Sequence, residues 1–341
     1  MSTAQIVFWG PDAPTVDVQF ALVKDQAPAG TEISWVKADL PIEEAAEQLK
    51  DTLVVITYGE IPFTTELAAK CPNLRLIQST SAGTNQLDKV GLAELGVKVA
   101  NNGGGNAVSV AEHTITLMIS VFRKFQLQFE NVKNGEWMGD IRADWLSQAF
   151  EISGKTVGII GLGRIGSRVA KRLQGWDCEI IYHDPVERNS DLVEKMGWTK
   201  VDKETLLKTA DIVSLHVPLN DETKGMISDH EFDIMKPTAV LINACRGPVV
   251  DEDAFIRAME ENKIMAAGVD VLEVEPTPED NPLIDMDNVL ITPHLAAFTQ
   301  EAWAKSRAFA GYNAVRVVKG QEPESVINPD ESTTDQTYFT D

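Results

Sequence analysis

Residues 155–185 read KTVGIIGLGRIGSRVAKRLQGWDCEIIYHDP, and the fold turns on this stretch. Thr156 to Ile160 is a short, β-branched apolar run, the pattern of a strand buried on both faces. Gly161-Leu162-Gly163-Arg164-Ile165-Gly166 then fits G-x-G-x-x-G. Helical spacing takes over at Ile165, Val169 and Leu173, and a second apolar strand, Glu179 to Tyr182, leads to Asp184. In this arrangement Gly161 permits the tight turn, Gly163 lets backbone approach a pyrophosphate, and Gly166 lets helix pack on strand. The pyrophosphate would rest on the unpaired N–H groups at the helix N-terminus. Asp184 stands 18 residues past Gly166, where a carboxylate can accept from adenosine ribose hydroxyls. A glycine-rich turn alone says little. Strand, helix, second strand and terminal acid together predict a dinucleotide site.

The rest of the composition suits such a chain. Its 341 residues predict two domains, and no window approaches a membrane-spanning apolar run. The net charge of −22 argues against nucleic acid or an anionic membrane as partner, while leaving a saline habitat open. Cys71, Cys178 and Cys245 are odd in number, widely spaced and without metal-ligand pairing, which suggests a reducing compartment. With no basic leader at Met1 to Gln5, the expectation is a cytoplasmic protein without a bound metal.

Around the central motif the chain alternates strands and helices. Strands are expected at 5–9, 32–36, 53–57, 74–78 and 97–100, with helices at 41–50, 64–70 and 87–95. After NNGGGN at 101–106, residues 107–133 contain no Gly or Pro and recur at helical spacing, which predicts one long helix. A surface connection bearing Trp137 and Trp145 follows. Beyond Asp184, strands at 211–217, 239–243, 266–271 and 289–292 alternate with helices, the rhythm of a parallel, doubly wound α/β sheet. A last helix spans 300–318, and the acidic tail from 329 to 341 is expected to be disordered.

Three polar residues fall just past strands of the second half: Arg246, Glu275 and His294. In an open α/β sheet that is where ligands bind. Singly, each could be a solvated strand-end group; their recurrence in one dinucleotide fold points to a site.

GLGRIG with Asp184, HVPL (216–219), NACRGPVVDE (243–252), GVDVLEVEP (268–276) and PHLAA (293–297) resemble the NAD-dependent D-isomer-specific 2-hydroxyacid dehydrogenases. NGGGNAVSVAEH (102–113) is similar to the segment opening that family's long helix. The resemblance implies a Rossmann-type cofactor domain, 102–295, and a smaller flavodoxin-like α/β substrate domain, 1–101 with 296–328, the substrate lying in the cleft. It implies NAD as cofactor, held by Gly161, Gly163, Arg164, Ile165, Gly166, Asp184, Val217, Pro218, Thr223, Ala244, Cys245, Arg246, Asp270 and His294. Asp270 would hold the carboxamide. Arg246 would grip the substrate carboxylate, His294 would exchange the proton, and Glu275 would orient the imidazole and favour its charged form. Tyr58, Ala82, Gly83 and Asn106 would complete the substrate pocket. A homodimer through the helix near 107–133 is also implied, with Trp145 near the neighbouring subunit.

PHLAA departs from the more usual His-Ile-Gly-Gly. Formate dehydrogenases share the fold, but typically have Gln where this chain has Glu275. Phosphite- and phosphoglycerate-oxidising relatives, and non-catalytic NAD-sensing corepressors of the same fold, are the other readings. The loops 57–62 and 79–86 contain no Lys or Arg, and the first carries Glu60. A distally charged substrate would find no cation there, so a small 2-oxoacid such as glyoxylate, hydroxypyruvate or pyruvate is expected. Asp184 predicts NAD rather than NADP, with Arg188 as a partial offset to its repulsion of a 2′-phosphate.

Overall fold

The computed structural model describes residues 5–10, 17–58, 61–138, 145–186 and 190–328. Glu60, Arg188 and the acidic tail lie outside the described residues. The chain divides into two compact units, one formed by residues up to Asn106 and from Phe298 onward, the other by Ala107–Ala297.

The first unit is built on a parallel sheet of β1 (Gln5–Gly10), β2 (Glu32–Lys37), β3 (Thr52–Thr57), β4 (Leu76–Ser79) and β5 (Lys98–Ala100), in the order β2-β1-β3-β4-β5. Its central strands are apolar on both faces because helices cover both. One face buries Val7, Val55, Leu67 and Ile77, the other Ile6, Phe8, Ile56 and Leu76 against Ala310 and Ala314 of the helix Gln300–Val318. The helix Asp17–Gln26, absent from the expected elements, packs on that same helix. In this order the switch point falls between β1 and β3. Gly10 and Tyr58 stand there, and a Cβ on Gly10 would come within 3.0 Å of the Tyr58 ring.

The second unit holds β6 (Thr156–Ile160), β7 (Glu179–His183), β8 (Thr199–Lys200), β9 (Ile212–Leu215), β10 (Val240–Asn243), β11 (Ala266–Val269) and β12 (Val289–Ile291). Their order is β12-β11-β10-β9-β6-β7-β8, every pair parallel. The two short edge strands are β8 and β12. The switch point lies between β6 and β9, which places the turn after β6 beside the one after β9.

The expected long helix is two helices, Ala107–Phe122 and Phe125–Lys133. No Gly or Pro breaks them. Lys124 turns left-handed at φ 50°, and the Phe122 carbonyl is captured by the Phe150 N–H at 2.9 Å. The Phe122 and Phe150 rings meet at 6.0 Å, and Lys124 Nζ donates to Gln148 Oε1 at 2.5 Å. Contacts from a segment more than twenty residues downstream end the helix. The first helix is buried on most faces, whereas the second buries none of its side chains. Among the described residues no helix is long and apolar enough to cross a membrane.

Candidate active site

The turn after β6 needs glycine at two of its three glycine positions. Gly161 has φ +92°, and a Cβ there would lie 2.7 Å from the His216 carbonyl oxygen. A Cβ on Gly166 would lie 2.1 Å from the Gly161 carbonyl oxygen, so helix and turn touch through bare backbone. At Gly163 a Cβ would meet nothing within 4 Å. That side of the turn is open, and the N-terminus of the following helix faces the same turn. Arg164 and Ile165 complete the turn, and Val217 reaches it from the β9 side, 3.1 Å from the position a Gly161 Cβ would take. Thr223 donates its hydroxyl to the Pro218 carbonyl at 2.6 Å, holding the adjoining loop. His216, between β9 and Val217, is kept neutral by burial, its pKa pushed down to about 3.

Asp184 is only 2% exposed. Its Oδ2 accepts from the Leu162 N–H at 2.8 Å and its Oδ1 from the Val186 N–H at 2.9 Å. The carboxylate therefore braces the glycine turn from behind as well as marking the end of β7.

Arg246 follows β10, half-buried, with Nη1 donating to the Cys245 carbonyl at 2.6 Å. Asn243 organises this corner: its Oδ1 accepts from Cys245 N and its Nδ2 donates to the Arg246 carbonyl, each at 3.0 Å. Ala244 lies inside that corner. Burial pushes the Cys245 thiol up to about 11, leaving it a neutral filler rather than a nucleophile. Gly247 sets the next contact. A Cβ there would overlap the Leu272 carbonyl at 1.8 Å, so only glycine brings the Arg246 loop against the loop that carries Glu275.

Glu275 uses both oxygens. Oε1 accepts from the Leu272 N–H at 3.1 Å, and Oε2 meets His294 Nδ1 at 2.6 Å. Imidazole and carboxylate are each about one-third exposed, 36% and 34%. His294 itself sits in the left-handed region at φ 54°, a conformation that a non-glycine residue holds only when its surroundings compel it.

What compels it is Asp270, 1% exposed. Its carbonyl accepts the His294 N–H at 2.8 Å. Its carboxylate accepts from the Leu295 N–H at 3.0 Å, the Ala296 N–H at 2.9 Å and the Thr292 hydroxyl at 2.6 Å. Because the Thr292 proton is committed to Asp270, the 3.0 Å contact from His113 Nε2 to the Thr292 oxygen requires the hydrogen on Nε2. That nitrogen also lies 3.4 Å from Asp270 Oδ1. Burial pushes the Asp270 carboxyl up, but the hydrogen bonds from His113, Thr292 and the two backbone N–H groups outweigh it and hold its pKa below the ordinary value. Sequence reasoning had singled out neither His113 nor Thr292; their only signal was the AEH segment and the residue before Pro293.

In the first unit, three loops at the carboxyl ends of β3, β4 and β5 are stitched together. Thr80 N donates to the Thr57 carbonyl at 3.0 Å and Asn102 N to the Ser81 carbonyl at 3.1 Å. These bonds gather Tyr58, Ala82, Gly83 and Asn106 on neighbouring loops, with Asn106 Oδ1 receiving Asn102 Nδ2 at 3.1 Å. Asn102 also reaches Ser306 at 3.2 Å, which brings the helix Gln300–Val318 to the same edge.

Two parallel sheets, one with a glycine cradle at its switch point and a paired imidazole beyond a strand end, define a dinucleotide-dependent oxidoreductase. Residues 115–296 match the sequence profile described as D-isomer specific 2-hydroxyacid dehydrogenase, NAD binding domain. The chain is 38% identical over 282 residues to a glyoxylate reductase from Thermofilum pendens, covering 82% of this chain and 81% of that one. It is 34% identical over 293 residues to a D-3-phosphoglycerate dehydrogenase from Archaeoglobus fulgidus, covering 86% of this chain and 54% of that one, so it spans about half of that relative. Among solved structures, an acyclic imino acid reductase in complex with NADPH and D-Arg superposes with TM-score 0.81 at 28% identity, covering 95% of this chain and 99% of that chain. The chain belongs to the D-isomer specific 2-hydroxyacid dehydrogenase family. Its activity is that of an NAD(P)-linked oxidoreductase of 2-hydroxyacids.

The Asp270 anchor gives a sign that can be checked. A carboxyl whose folded pKa is depressed stabilises the fold fully above its unfolded value of ~3.9, and loses that contribution as pH falls through the folded value. Asp270→Asn is expected to lose about 1–3 kcal/mol at neutral pH. Urea unfolding should show the gap to wild type closing as the pH is lowered toward ~3. kcat should fall with it, because the His294 turn loses its brace.

Proposed function

We propose that the chain reduces small 2-oxoacids of the glyoxylate, hydroxypyruvate and pyruvate type to D-2-hydroxyacids with NADH. The observation that supports this most directly is the 2.6 Å pair of His294 Nδ1 and Glu275 Oε2, one strand-loop from Arg246 and braced against it through Gly247. A bound nicotinamide dinucleotide supplies the hydride; the protein supplies position and charge. Gly161, Gly163 and Gly166 with Arg164, Ile165, Val217, Pro218 and Thr223 would hold the dinucleotide. Asp270 Oδ2 receives one backbone N–H, which leaves it capacity for a carboxamide donor.

Arg246 would take the substrate carboxylate as a planar two-pronged donor and polarise the neighbouring carbonyl. Glu275 fixes Nδ1 of His294, so the proton given to the substrate oxygen resides on Nε2. Tyr58, Ala82, Gly83 and Asn106 are assigned to the substrate. The relatives named glyoxylate reductase agree in substrate size, and they match over most of their own length. In a panel of 2-oxoacids, glyoxylate and hydroxypyruvate should be turned over, and His294→Ala should lose on the order of 10²–10⁴ in kcat. Near-wild-type turnover by that variant would remove the assignment.

Asp184 stays close behind the glycine turn with its carboxylate desolvated, so its field opposes a 2′-phosphate whether or not it bonds the ribose directly. The imino acid reductase shows that a relative can take NADPH, which makes the comparison informative. kcat/KM is expected to be higher with NADH than with NADPH at equal concentration. The opposite order would refute the role given to Asp184.

Self-association is proposed through the apolar residues that the second helix and its neighbourhood leave in solvent. Phe129 is 66% and Trp137 70% exposed, with Val132, Met138 and Leu146 also exposed. Large apolar side chains left in solvent at this density are a common feature of contact surfaces. The helix Ala107–Phe122 is already buried within its own unit, so of 107–133 the contact would centre on the second helix, Phe125–Lys133. Light scattering at micromolar concentration should give twice the chain mass.

A further inference from the structure

We infer that Glu252 is a positioning residue for the Glu275–His294 pair, acting by clamping the loop that carries Glu275. The inference rests on the roles proposed above for those two residues. From Glu273 to Asp280 the chain buries none of its side chains. Such a segment has no core contact of its own, so its geometry must come from hydrogen bonds and from its two ends. Glu275 lies within it, and its 2.6 Å contact to His294 Nδ1 weakens steeply if the carboxylate shifts.

Glu252 supplies the missing bonds. It opens the helix Glu252–Glu260, behind the N-cap Asp251, where an acid can favour the helix N-terminus while facing water. Here both of its oxygens reach across to the loop instead. Oε2 accepts from the Glu273 N–H at 2.7 Å, and Oε1 accepts from Asn281 Nδ2 at 2.8 Å. The two donors bracket Glu275, two residues before it and six after. The far donor is itself fixed. Asn281 is 9% exposed, and its Oδ1 accepts at 3.0 Å from the N–H of Leu283, which is fully buried. The near donor adjoins Leu272, whose carbonyl faces Gly247 and whose N–H holds Glu275 Oε1 at 3.1 Å.

The clamp stands on a firm base. Glu252 is six residues past Arg246, and the chain between them is tied to a neighbouring segment. Ile227 N donates to the Val249 carbonyl at 3.3 Å, Asp251 N to the Ile227 carbonyl at 2.9 Å, and the Ser228 hydroxyl to Asp251 Oδ2 at 2.9 Å. The arginine segment therefore meets the Glu275 loop at two points, Gly247 and Glu252. Among the described residues Glu252 has no ion pair, and the loop it holds carries Glu273, Glu275, Glu279 and Asp280. A further anion among these is repelled, so its bonds to the loop are no by-product of charge attraction. Glu273 is exposed and could give its N–H to water at little cost. What water cannot supply is a fixed position.

The test is a double-mutant cycle on kcat, with NADH and the 2-oxoacid that wild type reduces fastest. Glu252→Ala should lower kcat by roughly tenfold or more while Glu275 is present. In the Glu275→Gln background, where no carboxylate is left to position, the same change should cost no more than about twofold. Glu252→Gln keeps one acceptor oxygen for two donors, so its loss should fall between wild type and Glu252→Ala, with the same dependence on Glu275. NADH affinity, read by fluorescence titration, should stay within about twofold in every variant. Equal losses in the two backgrounds would overturn the inference, because a merely structural role is indifferent to Glu275. So would a kcat within about twofold of wild type in Glu252→Ala, or in Glu252→Gln if only that variant folds. A fall of about tenfold in NADH affinity would overturn it as well, since the damage would then reach beyond the loop. Those results strike the inference alone. Glu275→Gln with wild-type kcat, or a wild type that reduces no 2-oxoacid, would instead overturn the proposed function and this inference with it.

Discussion

A single buried carboxylate organises the turn that carries His294. Asp270 stands at the end of β11 and accepts from the backbone of Leu295 and Ala296, while its own carbonyl takes the His294 N–H. Those bonds force the left-handed turn from which His294 reaches Glu275. Desolvating an anion is expensive, and only four convergent donors make it tolerable here. The His294–Glu275 pair itself is one-third exposed and gains little from burial. Precision at a solvent-accessible imidazole is thus achieved by charge hidden one layer below it.

A second constraint is steric. At Gly161, Gly166 and Gly247 a methyl group would collide with a backbone carbonyl, not with a side chain that could move aside. The first two bring helix to strand around the dinucleotide cradle. The third joins the arginine loop to the carboxylate loop, so that groups from β10, β11 and β12 share one framework. Gly163 differs: a methyl group there would meet nothing within 4 Å.

The alternation of strands and helices, the glycine turn and the strand-end positions of Arg246, Glu275 and His294 were legible because each is a local pattern: period, turn residue, polar group after an apolar run. What escaped was tertiary. Nothing in Arg123-Lys124 announces a helix end, since the Phe150 N–H that captures the Phe122 carbonyl comes from elsewhere in the chain. The helix Asp17–Gln26 has a weak apolar stripe and is defined by its packing on the last helix. His113 and Thr292 are ordinary residues until the fold sets them around Asp270.

The first unit is made from both sides of an insertion. Asn313 donates to Gln78 Oε1 at 2.7 Å, and Asn328 donates to the Val97 carbonyl at 2.9 Å, so its sheet is closed by residues that follow the whole second unit. During synthesis, β1 to β5 leave the ribosome with one face of their sheet lacking the cover of the last helix, and it stays so while nearly two hundred further residues are added. The dinucleotide unit, continuous in sequence, can complete its own core in that interval. The nascent chain therefore leaves the Ile56 and Leu76 side of that sheet short of its cover for roughly 10–40 s at ordinary elongation rates.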